Sequence, residues 1–309
     1  MTETTTRQIE AMKQQTIGVE VEMNNITREK AARTAARFFG TDRYENTAHR
    51  NGYQTWSAWD TQGREWKFQK DVSIAGPDAE KCELVTPILH YDDIETLQEL
   101  VRQMRHAGGK SCPSRGCGVH IHIGLGNHTP QSLRNLCNIM AAHETQIGRA
   151  IRLDSYRQSR YCRTIDPDFL ARINKKKPTS FEAFKRLWYN GHDGSHQHYD
   201  SSRYHMTNLH ACWTHGTIEF RCFQFAEEGN GRKGGLHAGE LKAYIQLCLA
   251  ISQLAKQVRF ASPKPQQTEN EAYAFRCWML RLGFIGDEFK TARTILMRNM
   301  EGNCAWRNA

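Results

Sequence analysis

Residues 17–23 read Ile-Gly-Val-Glu-Val-Glu-Met, and this alternation constrains the chain more than any other feature. A period of two is the signature of a strand, with Val19, Val21 and Met23 on one face and Glu20 and Glu22 on the other. Two like charges on one strand face repel, so the polar face needs an explanation. The pattern recurs along the chain. The GVHIHIG stretch at 118–124 puts His120 and His122 on one face, with Val119, Ile121 and Ile123 behind. TIEFRCF at 217–223 sets Glu219 and Arg221 opposite Ile218, Phe220 and Cys222, and in KCELVTP Glu83 lies opposite Cys82 and Leu84. A wetted sheet face alone would explain the two histidines, because antiparallel sheets often expose one side. Such a face is ordinarily built from Thr, Ser, Lys and Gln, whereas these strands offer carboxylates and imidazoles without lysine. If the strands are neighbours, repulsion among four carboxylates is relieved by a cation, and oxygen-rich sites with some imidazole suit Mg²⁺ or Mn²⁺.

Further strands are expected at 65–70, 81–87 and 206–213, the last joined to 217–225 by a tight turn at Thr214-His215-Gly216. Helical patterns fall at 27–40, with Thr27 as cap and Gly40 as stop, and at 93–107, 132–154, 180–189 and 237–257. The order of elements predicts an α+β fold with a mainly antiparallel sheet. SPKPQQT at 262–268 reads as a loop before a last pair of helices. The expected organisation is one domain over 1–309, with a helical insertion at about 129–200 and a C-terminal helical extension at about 268–309.

With 309 residues, 39% of them hydrophobic, the chain can bury a sizeable core and is neither disordered nor fibrous. The N-terminal MTETTTRQIE is polar, and the most apolar stretch, near 245–254, is broken by Gln246, Ser252 and Gln253, so a cytoplasmic protein without membrane attachment is expected. Ten cysteines are scattered singly and are read as reduced; Cys112 and Cys117 mark a local turn rather than a zinc site. The net charge of +9 favours phosphate-bearing partners without choosing among nucleotide, nucleic acid and acidic polymer. The most basic segment, 172–177, reads as a solvated approach to a helix, which makes a nucleic-acid footprint weak.

Five motifs in order, GVEVEM, KDVSI…CELVTP, GVHIHIG, RYHMTNL and GTIEFR, resemble the amidoligase family, carboxylate–amine ligases with the fold of glutamine synthetase and glutamate–cysteine ligase. The resemblance spans roughly 17–257 and implies a curved antiparallel sheet of glutamine synthetase-like type with helices packed on one face. It implies Glu20, Glu22, Glu83, His120 and Glu219 as ligands of divalent metal, and His122 and Arg221 beside the phosphates of ATP. Arg203 resembles an arginine that approaches the transferred phosphoryl group. Asp71 falls at a possible catalytic position, although the family often reads Asp-Gly-Ser where this chain has Asp71-Val72-Ser73. A surface-loop aspartate is the alternative there.

The implied reaction joins a carboxylate to an amine through an acyl phosphate, with ATP and Mg²⁺ or Mn²⁺, on small-molecule or peptide substrates. No GxxxxGK[ST] sequence occurs; the glycine-rich 227–235 segment reads as a solvated loop, as does HDGSHQH at 192–198. Two other classes compete. A cupin-like metal-dependent oxygenase or isomerase would use an H-x-H strand, but it asks for a glutamate soon after the second histidine, where Leu125-Gly126-Asn127-His128 has none. A non-enzymatic basic module binding nucleic acid would account for the charge and leave the acid pairs unexplained.

Overall fold

The computed structural model describes residues 3–227 and 235–305. In chain order it contains α1 (Glu3–Lys13), β1 (Ile17–Met23), α2 (Arg28–Phe38), β2 (Tyr44–Asn46), β3 (Trp56–Trp59), β4 (Glu65–Gln69), β5 (Cys82–Val85), α3 (Ile94–His106) and β6 (Val119–Gly124). There follow α4 (Pro130–Ile151), α5 (Ser155–Arg160), α6 (Pro167–Lys176), α7 (Phe181–Trp188), β7 (Thr207–Asn208), α8 (Ala211–Thr214) and β8 (Thr217–Phe223). The chain continues through α9 (Ala238–Gln257), α10 (Glu271–Arg281) and α11 (Lys290–Met297). The fold is α+β, and the strand pairs whose register is defined are antiparallel. The residues form two compact units, one drawn from 16–121 and 223–242, the other from 1–15, 122–222 and 243–309.

In the first unit the strand order is β2-β3-β4-β5-β1-β6. Helix α2 packs on β3 and β4 through Ala31, Ala32, Ala35 and Ala36, all fully buried, because small side chains let a helix lie close to a sheet. Its N-terminus is closed by Thr27, whose side chain accepts from Lys30 N, and Gly40 follows its end at φ +71°. The apolar face anticipated for β1 is in the core, with Val19, Val21 and Met23 buried beside Val119 and Ile121 of β6. One turn is sterically fixed. Gly116 sits at φ +67°, and a Cβ there would lie 2.7 Å from the carbonyl oxygen of Ser73. Ala75 N donates to Arg115 O at 2.9 Å, so the loop after Asp71 is docked on the turn that leads into β6. The same turn brings Cys117 N to Cys112 O at 3.2 Å. None of the ten cysteines is in a disulfide.

In the second unit the strands run β6-β8-β7, and α4 to α7 occupy the region expected to be a helical insertion. Two expectations need correction, and one helix was not anticipated. The strand predicted at 206–213 is only Thr207–Asn208, followed by α8, because the Asn208 side chain accepts a hydrogen bond from His210 N at 2.8 Å and turns the backbone. The basic stretch at 172–177 is not an approach to a helix; it forms the last turns of α6 and the residue that caps it, where cations complement the helix dipole. The polar N-terminal segment forms α1 from Glu3 onward, anchored by buried Met12. The glycine-rich loop read at 227–235 lies, from 228 to 234, outside the described residues. Among the described residues no helix is long and apolar enough to cross a membrane.

Candidate functional site

The acids of the first unit come from three strands and one loop. Pairing of β1 with β5 puts Glu22 directly opposite Glu83, and pairing of β5 with β4 puts Gln69 opposite Glu83 on the other side. Directly opposed like charges destabilise a sheet unless something relieves them. His120 enters from β6: its Nδ1 lies 3.0 Å from Glu20 Oε2 and its Nε2 3.7 Å from Glu22 Oε1. Asp71 joins from the loop after β4. Potential ligand atoms of Glu20, Glu83 and His120 lie within 4.8 Å of one another, as do those of Glu22, Asp71 and Glu83. Glu22, Glu83 and His120 are buried and Glu20 and Asp71 half-buried, so this polar face is not a wetted surface.

Each carboxylate is held by something specific. Gly118 N donates to Glu22 Oε2 at 2.5 Å, a donor supplied by the backbone. Gln69 Nε2 donates to Glu83 Oε2 at 2.9 Å. Asp71 Oδ1 accepts from both Ser73 N and Ser73 Oγ at 2.6 Å, a local turn that aims the carboxylate. Among the described residues no lysine or arginine forms an ion pair with Glu83. Burial, followed by the charges of Glu20, Asp71 and Glu22, holds the Glu83 carboxyl well above the usual carboxylate range, and the Gln69 bond only partly offsets this. Carboxylates with one imidazole, converging within ligand distance, are a donor set suited to Mg²⁺ or Mn²⁺.

The second unit holds the remaining residues. Glu219 and Arg221, both buried, point from the same face of β8 and form an ion pair through Glu219 Oε1 and Arg221 Nη1. The other Glu219 oxygen accepts from Asn208 Nδ2 at 2.5 Å across the β7–β8 pair. His122 is fixed by Thr217 Oγ1, 2.8 Å from its Nδ1, and its Nε2 lies 4.0 Å from Glu219 Oε1. Arg157 Nη2 reaches the carbonyl of Arg221 at 3.3 Å. A buried guanidinium with a fixed carboxylate partner is oriented before any ligand arrives, which is what recognition of a phosphate requires.

Arg203 stands apart from that group in its bonding. It closes a single 3-10 turn, Ser201–Arg203, where its Nη1 donates to His198 O at 3.4 Å and its guanidinium lies 5.3 Å from the Tyr199 ring. The sequence alone grouped Glu20, Glu22, Glu83, His120 and Glu219 as metal ligands; within the units described, the structure brings Glu20, Glu22, Glu83, His120 and Asp71 together in one and His122, Glu219 and Arg221 together in the other. The sequence reading missed the residues that hold them, namely Gln69, Asn208, Thr217 and the Gly118 amide. Asn208 and Thr217 were legible only as neighbours of motif residues, and a backbone amide carries no sequence signal.

Comparison with known proteins adds the following. No curated protein matches the chain. Among solved structures, a bifunctional glutathione synthetase from Pasteurella multocida is similar at a TM-score of 0.47 and 13% identity, over 96% of this chain and 49% of that one. The chain thus spans about half the length of that structure's chain. Residues 13–252 match the model of the family described as "Putative amidoligase enzyme", which leaves α10 and α11 beyond the match, and by that extent of agreement the chain belongs to the amidoligase family.

Proposed function

We propose that this amidoligase is an ATP-dependent carboxylate–amine ligase that forms an amide or isopeptide bond through an acyl phosphate, on a sheet of glutamine synthetase-like type. The observation that carries the reading is the opposition of Glu22 and Glu83 next to His120, with Glu83 shared between two groups at ligand distance, one completed by Glu20 and His120 and the other by Glu22 and Asp71. A fold that buries this many carboxyl groups together, with no lysine or arginine among the described residues paired to Glu83, is adapted to a cation. Glu20, Glu22, Glu83 and His120 would hold divalent metal, with Asp71 beside them, and Glu219 is assigned to metal from its own unit. When bound, Mg²⁺ or Mn²⁺ would neutralise charge on the triphosphate.

The residues divide the remaining work. An oxygen of the substrate carboxylate attacks the γ-phosphorus and ADP leaves. The amine nitrogen then attacks the acyl carbon, phosphate leaves, and the proton lost by nitrogen passes to a base. Arg221, locked by Glu219, contacts the phosphoryl oxygens, and His122, locked by Thr217, lies beside the phosphates. Arg203 is assigned the transferred phosphoryl group. Catalysis is then chiefly positioning and electrostatics.

The test is ADP release with pooled carboxylates and amines. Release is expected only when acid, amine and Mg²⁺ or Mn²⁺ are all present, and should fall to background in Glu20→Gln and Glu22→Gln with folding retained. Calorimetry that detects neither divalent ion nor ATP binding would sink the reading and favour a basic binding module.

A further inference from the structure

Within the unit that carries β8, a cavity of about 550 Å³ opens between the start of α6, the end of α7 and the segment 200–205. Its wall is tied to the Arg221 strand by successive backbone bonds: Met206 N donates to Arg163 O at 2.7 Å, and Arg221 N to Met206 O at 2.9 Å. Sequence reading treated this region as insertion helices and a polar loop.

Its lining combines two kinds of surface. Phe169 and Trp188 meet edge to face at 5.0 Å, and the indole is pinned by its Nε1 donating to Ser202 Oγ at 2.9 Å. This is a rigid aromatic wall. Against it stand Asp166, Asp200 and His205, with Arg163 at the exposed side. Asp200 is 95% buried by its 5% exposure, yet it remains a carboxylate: burial works against ionisation, and the bonds from Ser202 and the nearby His192 outweigh it. Asp166 caps α6 through Asp168 N at 2.9 Å. His205 Nδ1 faces Ser202 O at 2.9 Å; a carbonyl only accepts, so Nδ1 carries the proton and, in the neutral ring that burial favours, Nε2 keeps its lone pair.

The charge balance selects among ligands. Two carboxylates outnumber the one arginine, while His192, largely exposed, contributes positive charge only when protonated. An anion would meet those carboxylates, and a wholly apolar ligand would offer no donor to their remaining acceptor positions or to the imidazole Nε2. A cation over an aromatic face is favourable, and an ammonium has three N–H donors to give to carboxylate and imidazole. The volume lies in the range of small-molecule sites, roughly 300–1,000 Å³.

We propose that this cavity binds an organic primary ammonium with an apolar stem. Naming that ligand as the amine substrate rests on the ligase reading; the binding itself does not. The experiment is calorimetry on the full chain without ATP or metal, using phenethylammonium, 3-phenylpropionate and 2-phenylethanol as probes. Phenethylammonium should bind, and bind more tightly than either relative. Asp200→Asn retains an acceptor for Ser202 N and should weaken binding roughly tenfold or more, the worth of a charge-assisted hydrogen bond. Thr164→Trp, placed at an exposed lining position, should abolish binding with the unfolding temperature unchanged. Should Asp200→Asn fail to fold, Asp166→Asn gives the same readout. No saturable binding of phenethylammonium, tighter binding of 3-phenylpropionate, or unaltered affinity in the aspartate variants overturns the proposal. The two readings fail separately: ammonium binding without any ADP release removes the ligase alone, and amine-dependent ADP release insensitive to Asp200→Asn and Thr164→Trp removes only the assignment of this cavity as the site of the amine substrate.

Discussion

Replacing Glu83 by Gln should stabilise the metal-free protein at neutral pH, and by an amount that grows with pH. Glu83 is 5% exposed and faces Glu20, Glu22 and Asp71, so its carboxyl is raised well above the usual range, by burial first and by those charges next. An acid whose folded value lies above its unfolded value, about 4.3, binds its proton more tightly in the folded state. Its contribution to stability is full below about pH 4.3 and is lost as pH rises toward the folded value. Across that window one proton of difference costs about 1.4 kcal/mol per pH unit. For a chain of 309 residues this corresponds to roughly 2 °C in Tm per unit. Gln keeps the shape and an oxygen to accept from Gln69, and lacks the titration. Thermal unfolding in EDTA from about pH 4 to about pH 8 should show wild type and Glu83→Gln together at the acid end and diverging above it, with the variant more stable. Adding Mn²⁺ should then raise the wild-type Tm and do little for the variant, because a ligand of the folded state stabilises it by mass action. Parallel curves across the whole range, or a variant less stable at neutral pH, would refute the argument that uncompensated charge resides at Glu83.

Arg221→Lys should fold and turn over on the order of a hundredfold more slowly, since an ammonium cannot reproduce a planar fork held against Glu219; near-normal turnover would reduce Arg221 to a structural partner. The two histidines should separate in titrations: His120→Ala weakens Mn²⁺ binding without nucleotide, whereas His122→Ala leaves it nearly intact and weakens nucleotide binding, and equal negligible effects would return both to a plain strand face. Asn208→Ala removes the bond to Glu219 and the turn at His210, so it should lower turnover and cost about 1–3 kcal/mol of stability, read by denaturant unfolding; an unchanged midpoint would show that the amide holds nothing.

Much of the acidic cluster was legible because a strand has a period of two and a charge on its buried face violates that pattern. Glu20, Glu22 and Glu83 could be picked out one strand at a time. Their pairing could not, because the Glu22–Glu83 register depends on which strands become neighbours, and no local pattern encodes that. The short strands β2 and β3 escaped for a related reason: three or four residues hold too little alternation to stand out. The failed strand at 206–213 is more instructive. Its apolar letters fit, but Asn208 uses its side chain on its own backbone, and a single such hydrogen bond overrides propensity over the following residues. The α1 helix was hidden because it buries little beyond Met12, so its sequence reads as polar throughout.

The tight approach at Gly116 makes a methyl group at that position a lever. Any side chain there must displace the Ser73 carbonyl, and Ser73 holds Asp71 through two bonds, so the push would be delivered one peptide away to a carboxylate of the cluster. Val72, between them, is 78% exposed, so its side chain meets solvent and a valine is accommodated there. Two adjacent segments thus tolerate change in opposite ways: the residue that looks like a departure is free to drift, and the inconspicuous glycine some forty positions later is not.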